Sequence, residues 1–338
     1  MSESPTRLRG AIDVSPLALT RAGTARYVVN LLAELRRIDE VDLREMRFDG
    51  GGRLAKLARD VLWYPAVLPA AAARSRLDFL HCTTLRAPVV SRVPVVVTVH
   101  DVAPLRRPDA FNPWMRRYTS LTLPRIVRAA AAVITVSAFQ QRELAAVTGI
   151  DERRVRVVPQ GVGAPFTGDG PVAEGDYVLA VATLEPRKNL PLLVEGFRRS
   201  GLDCELRIAG QAGWGDVDVG GERVRRLGRV DDDELAALYR GARCLVYPST
   251  YEGFGLPVLE AMAAGTPVVC PAGPPYDEFA DGVAVTCDPL DTDSIAGALR
   301  DAVARRRELG PRGRERAATF TWERTARATL AVYREVTA

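Results

Sequence analysis

One stretch restricts the fold more than any other. Residues 247–271, YPSTYEGFGLPVLEAMAAGTPVVCP, read as strand end, glycine loop, short helix, turn and next strand. The apolar run 244–247 stops at Pro248 and Ser249, as strands do. Gly253 and Gly255 let backbone amides approach a ligand with no Cβ in the way. Pro257 suits the first helical turn, where its missing N–H costs nothing. Gly265 closes the helix, and Thr266-Pro267 leads into the next strand. Strand, loop and helix in alternation specify an α/β layer structure.

The short helix, about 12 Å long, turns its positive end toward the glycine loop, which suits a phosphate. Glu252 precedes the loop and Glu260 lies in the helix's first turn. Carboxylates accept hydrogen bonds from paired hydroxyls. The pair therefore suits a sugar on one side of a diphosphate and a ribose on the other. The competing interpretation is an ordinary strand-to-helix turn with solvated glutamates.

At 338 residues the chain exceeds one ordinary core and suits two. Hydrophobic residues make up 47% and charged residues 26%, the balance of a globular protein. No run approaches the roughly 20 apolar residues that span a bilayer. The first ten residues lack an apolar signal region, so a cytoplasmic protein is expected. Five scattered cysteines form no C-x-x-C pair and read as buried thiols. Two histidines argue against a histidine-rich metal site.

Charge is uneven. Residues 1–165 hold 25 Arg and Lys against 15 Asp and Glu, or +10, and the remainder 21 against 27, or −6. Different partners for the halves are one explanation; uneven solvated charge is the other. Only Lys56 and Lys188 are lysines among 46 basic residues, which makes a lysine inside a motif informative.

Along the chain, strand 8–14, loop 15–23 and amphipathic helix 27–37 begin a doubly wound α/β domain. A strand at 42–48, a flexible glycine run at 50–53, a helix at 53–62 and a strand at 77–81 are expected next. His81, at that strand's end, reads as structural. The β-branched run 93–99 reads as a buried parallel strand ending in His100-Asp101, at the carboxyl end where such sheets bind ligands. Residues 106–128 interleave arginines with Trp114 and Tyr118. They suit a membrane interface or an anionic acceptor, or else a solvated helix face. No nucleic-acid-binding module is present. Strand 132–137, helix 138–148 ended by Gly149, and strand 155–158 complete the first domain. The Gly/Pro-rich residues 159–166 are the linker.

A second domain restarts with strand 177–182, which leads to Arg187 and Lys188. Two cations at a strand end would neutralise a leaving diphosphate. Strand 204–209, strand 224–227, a helix at 234–239 capped by Asp231, a polar helix at 295–308 and a final helix at 320–336 complete it.

The stretch 247–271 resembles the E-x7-E signature of retaining glycosyltransferases of family 4, which have the GT-B fold. The resemblance extends over most of the chain. It implies two Rossmann-like doubly wound parallel-sheet domains facing a cleft: residues 1–163 on the acceptor side, 164–320 holding a nucleotide sugar, and a terminal helix at 321–338 packing back on the first domain. The turn TRAGTARY is similar to the family's G-x-G-R-Y turn, with Gly23 kept and Ala25 replacing the second glycine. The segment VTVHDVAPLRRP is similar to one that brings a histidine to the donor sugar, here His100, with Asp101 steadying it. Lys188 matches the family's diphosphate-binding lysine; the arginine's position is Thr183, and Arg187 is a substitute cation. By the same resemblance Glu252 binds sugar hydroxyls and Glu260 the ribose. Backbone groups at Gly253, Phe254, Gly255 and Leu256 meet the diphosphate, and those near Val230 the nucleobase.

These residues imply transfer of a sugar from a nucleoside-diphosphate sugar to a hydroxyl acceptor. His100, Lys188 and Glu252 are the catalytic candidates. No D-x-D metal clamp stands in a convincing place, so neither a metal nor another cofactor is expected. Peripheral contact with the inner membrane face is an open expectation. A nucleotide-sugar epimerase and a non-catalytic nucleotide-sugar-binding protein are the rival functions.

Overall fold

The computed structural model describes residues 7–18, 23–50, 52–215 and 217–338. Parts of the loop expected at 15–23, the TRAGTARY turn and the glycine run 50–53 lie outside the described residues. The chain divides into two units, residues 1–161 with 322–338, and residues 162–321.

The first unit is a six-stranded parallel sheet with strands β1 (Leu8–Asp13), β2 (Val41–Met46), β3 (Phe79–Cys82), β4 (Val95–Val99), β5 (Ala132–Thr135) and β6 (Val155–Val157). Their order is β2-β1-β3-β4-β5-β6. Every residue of β3, β4 and β5 is buried. This explains the continuous β-branched run of β4, because helices cover both faces of a parallel sheet. Ser137 Oγ accepts from the Gln140 amide to cap the helix Ala138–Thr148, which ends at Gly149 with φ 68°.

The terminal helix Trp322–Thr337 belongs to this first unit. Tyr333 stacks on Phe79 with centroids 4.1 Å apart. His81 is fully buried, its Nδ1 2.7 Å from the Tyr333 hydroxyl and its Nε2 2.8 Å from Thr98 Oγ1. Burial pushes its pKa down to about 3, so it is a neutral structural link.

The helix expected at 53–62 is longer. It runs through Gly52–Ala58, a π-helical segment Arg59–Val67 and Leu68–Arg74. Pro65 lies inside the wide segment, where its missing N–H breaks the ordinary hydrogen-bond ladder.

The second unit is another six-stranded parallel sheet, with β7 (Tyr177–Val181), β8 (Glu205–Ala209), β9 (Val224–Gly228), β10 (Leu245–Val246), β11 (Val268–Pro271) and β12 (Val285–Cys287). The order is β12-β11-β10-β7-β8-β9. From β7 the chain winds outward to β9, then returns to lay β10 on the other side of β7. The sheet's direction of winding therefore reverses between β7 and β10, and the crevice at such a reversal is where these sheets bind ligands. The single polar helix expected at 295–308 is two helices, Thr292–Ala304 and Arg306–Ala317, broken at Arg305. The three-residue strand β12 carries too short a pattern to have been expected. No described helix is long and apolar enough to cross a membrane.

Candidate active site

The loop after β7 and the loop after β10 meet beside this reversal. Lys188 sits in the short turn Pro186–Lys188 and is 8% exposed. Its Nζ donates to the Tyr247 hydroxyl at 2.7 Å and to the Glu252 carboxylate. Glu252, also 8% exposed, accepts from Ser249 Oγ at 2.5 Å. Arg187 Nη1 lies 3.0 Å from the same carboxylate, and Arg187 Nε lies 2.5 Å from Glu185. Two cations and two carboxylates thus form one balanced buried cluster.

Burial by itself would raise the Glu252 carboxyl, but Arg187 and Lys188 overcome it and bring the pKa down to about 2. Burial lowers Lys188 from its ordinary value, with Glu252 opposing the shift. The cluster is therefore buried, charge-paired and held by its own hydrogen bonds. Charges held this way act on an incoming anion without reorganising.

Ser249, Thr250 and Tyr251 hold the loop in place. The Thr250 amide donates to the Arg187 carbonyl at 2.9 Å, and Arg187 Nη1 donates to the Tyr251 carbonyl at 3.0 Å. The glycine turn comes next. Gly255 has φ 106°, a left-handed conformation that side chains rarely adopt, and it begins the helix Leu256–Ala263. Phe254 is buried and stacked on Phe279 at 4.9 Å. The ring of Tyr276, from the loop after β11, packs on Gly255: a Cβ there would lie 2.9 Å from Tyr276 Cε1. The Tyr276 hydroxyl is buried with no hydrogen-bond partner among the described residues.

Other expected residues lie elsewhere. Glu260 is 1% exposed and accepts from the Tyr239 hydroxyl at 3.0 Å, between the helices Asp232–Gly241 and Leu256–Ala263. Thr183 lies against Gly213 in the loop after β8, where a Cβ on Gly213 would come 2.7 Å from Thr183 Cγ2. Val230 is half-buried just before Asp231, whose carboxylate caps the next helix by accepting from the Glu234 amide at 2.8 Å. In the first unit Gly23 opens the helix Gly23–Leu35. His100 is half-buried beyond β4. Its Nε2 donates to the Thr83 carbonyl at 3.0 Å, while Nδ1 accepts from Gln160 at 3.1 Å. Burial lowers its pKa and keeps it neutral. Asp101 Oδ1 accepts from the Ala103 amide at 3.0 Å.

Sequence reasoning missed Tyr247, Ser249, Glu185 and Tyr276 as neighbours of the cluster. The first two stand inside the stretch that drew attention, but nothing in their spacing says which way they point. It also missed Asp13, buried at the end of β1, which accepts from the Tyr64 hydroxyl at 2.8 Å and from the Ser15 amide at 3.1 Å.

Residues 170–317 match the family described as Glycosyl transferases group 1, and residues 21–164 match Glycosyltransferase Family 4. The chain is 30% identical over 266 residues to the O-antigen chain mannosyltransferase B of Escherichia coli, covering 71% of this chain and 70% of that protein. The chain belongs to glycosyltransferase family 4. Another relative is the glycogen synthase of Mycobacterium tuberculosis, 30% identical over 84% of this chain and 72% of the relative. Among solved structures, sucrose-phosphate synthase from Thermosynechococcus elongatus superposes with TM-score 0.76 at 21% identity, covering 97% of this chain and 99% of the other. HepE of Anabaena, solved with UDP and glucose, superposes with TM-score 0.76 at 16% identity, covering 97% and 100%. These likenesses agree with the two parallel sheets: this family 4 glycosyltransferase has the GT-B fold.

Proposed function

We propose that this glycosyltransferase is retaining and metal-independent, and that it moves a sugar from a nucleoside-diphosphate sugar to a hydroxyl acceptor. The observation that carries the proposal is the convergence of Lys188 and Glu252 at the β7/β10 reversal, beside the Gly255 turn. The presence of UDP with HepE, a protein of the same fold, supports a nucleotide ligand. In the proposed reaction the bond from the sugar's anomeric carbon to the diphosphate oxygen breaks. The acceptor oxygen bonds to the same face of that carbon, and the acceptor proton passes to the departing diphosphate. Lys188 and Arg187 turn from Glu252 toward the diphosphate as its charge develops, and the amides of the helix N-terminus add to them. Glu252, released from its cations, accepts from sugar hydroxyls. Glu260 holds the ribose, which requires it to exchange Tyr239 for the ligand.

The test begins with a thermal-shift screen of UDP-, GDP-, dTDP- and ADP-sugars, in which the right base raises the midpoint. Release of the nucleoside diphosphate is then monitored with excess chelator present, and proton NMR reads the anomeric configuration of the product. The expected result is turnover in chelator with the donor's configuration kept. Loss of turnover in chelator refutes the metal-independent reading, and an inverted product refutes retention.

A further inference from the structure

The segment 52–67 of the first unit is turned inside out. Three of its polar residues face inward: Arg59, Asp60 and Tyr64 are 4%, 5% and 2% exposed. They are fully engaged there. Arg59 Nε donates to Asp60 Oδ1 at 2.9 Å, Arg86 Nε to the same oxygen at 3.0 Å, and the Tyr64 hydroxyl to Asp13. The outward side carries Leu54, Leu57, Val61, Leu62 and Val67, of which Leu54 is 83% exposed. A helix facing water has the opposite arrangement. Apolar patches of this kind mark an interaction surface.

The neighbouring surface identifies what covers it. Arg86 also reaches the helix Pro113–Ala129, with its Nη2 3.8 Å from Met115 Sδ and its guanidinium 5.4 Å from the Tyr118 ring centre. Trp114, half exposed, stacks on Tyr118, and Leu121 is exposed on the same helix. That helix has no Asp or Glu. The segment 52–67 has one, Asp60, and it is buried. Lys56, Arg116 and Arg117 are exposed and form no ion pair among the described residues. The two elements therefore present leucines, a tryptophan and cations, with no exposed carboxylate between them. A second copy would bring like charges together, which disfavours it. An anionic bilayer satisfies all three features at once. Leucines enter the acyl boundary, tryptophan sits at the headgroup level, and cations meet lipid phosphates.

We propose that the face formed by residues 52–67 and the Trp114–Arg117 end of the neighbouring helix lies on an anionic lipid surface. This inference is independent of the donor-site reading, and its test does not use activity. The full chain is sedimented with vesicles of phosphatidylcholine alone, and with vesicles about one-third phosphatidylglycerol. Binding to the anionic vesicles is expected, with far weaker binding to the neutral ones. Leu54→Glu/Leu57→Glu alters exposed side chains and is expected to weaken binding at least about tenfold. Each cation near an anionic surface strengthens binding about fivefold, so Lys56→Gln/Arg116→Gln/Arg117→Gln is expected to lose about a hundredfold. Leu290→Glu, an exposed position in the second unit, is expected to bind like the wild type. Failure of the wild type to bind anionic vesicles overturns the proposal, as does an equal loss in Leu290→Glu. A wild-type dimer that Leu54→Glu/Leu57→Glu makes monomeric, with no vesicle binding, also overturns it and assigns the face to a second copy.

Discussion

Replacing Lys188 by Met tests the centre of the proposed site. The cluster holds two cations, Arg187 and Lys188, and two carboxylates, Glu185 and Glu252, with side chains between 2% and 15% exposed. Against the upward push of burial, Arg187 and Lys188 take the Glu252 pKa from 4.5 to about 2. That shift corresponds to roughly 3 kcal/mol of net favourable interaction with the ionised carboxylate. Lys188→Met leaves one buried negative charge in excess, and loss of one partner of a buried pair costs about 3–5 kcal/mol. Arg187 remains beside Glu252, so the lower end of that range is expected. Catalysis is expected to suffer separately. Removing one preorganised group that stabilises developing charge costs about 10²–10³ in kcat. The double variant Lys188→Met/Glu252→Gln restores charge balance and should recover most of the lost stability, because neutralising both partners is far less costly than orphaning one. It should recover none of the activity. Stability is read from urea unfolding and activity from nucleoside-diphosphate release. A folded Lys188→Met protein with wild-type turnover refutes the leaving-group role. A double variant no more stable than the single one refutes the charge-balance argument.

Two further results are expected. Because the folded-state pKa of Glu252 is depressed to about 2, its contribution to stability is present above its ordinary value of 4.5 and is lost as the pH falls from there toward 2. Urea midpoints across that range should fall less steeply in Glu252→Gln than in the wild type; equal slopes would contradict the shift. Gly255→Ala places a Cβ 2.9 Å from Tyr276 Cε1 at a φ of 106°. It should destabilise the protein by about 1–3 kcal/mol and weaken the thermal shift produced by the nucleotide sugar; an unchanged shift would remove the turn from the binding site.

Much of this was legible in the sequence because the signals are local. The helix Ala138–Thr148 announces its own ends through Ser137 and Gly149. The β-branched run of β4 marks a strand buried on both faces. Elements without local signals were not legible. β12 is three residues long. The break at Arg305 has neither Gly nor Pro to mark it. The π-helical segment Arg59–Val67 has an apolar outer side that reads, in sequence, as an ordinary helix's core face.

Residue order alone places a glycine turn and Glu252 after one strand of the second unit and Lys188 after another, since short-range spacing fixes the loop at each strand's end. That those strands are neighbours follows from the packing of the folded sheet. β7 and β10 are separated by 63 residues between their ends, and they adjoin because the winding of the sheet reverses there. Tertiary packing also decides which charges face inward. Burial makes an unpaired charge costly, so Lys188 and Arg187 settle on Glu252 and Glu185, and Arg59 and Arg86 settle on Asp60. The pairings of Lys188 and Arg187 with Glu252, and of Arg86 with Asp60, join residues far apart in the chain, a distance that no periodicity encodes.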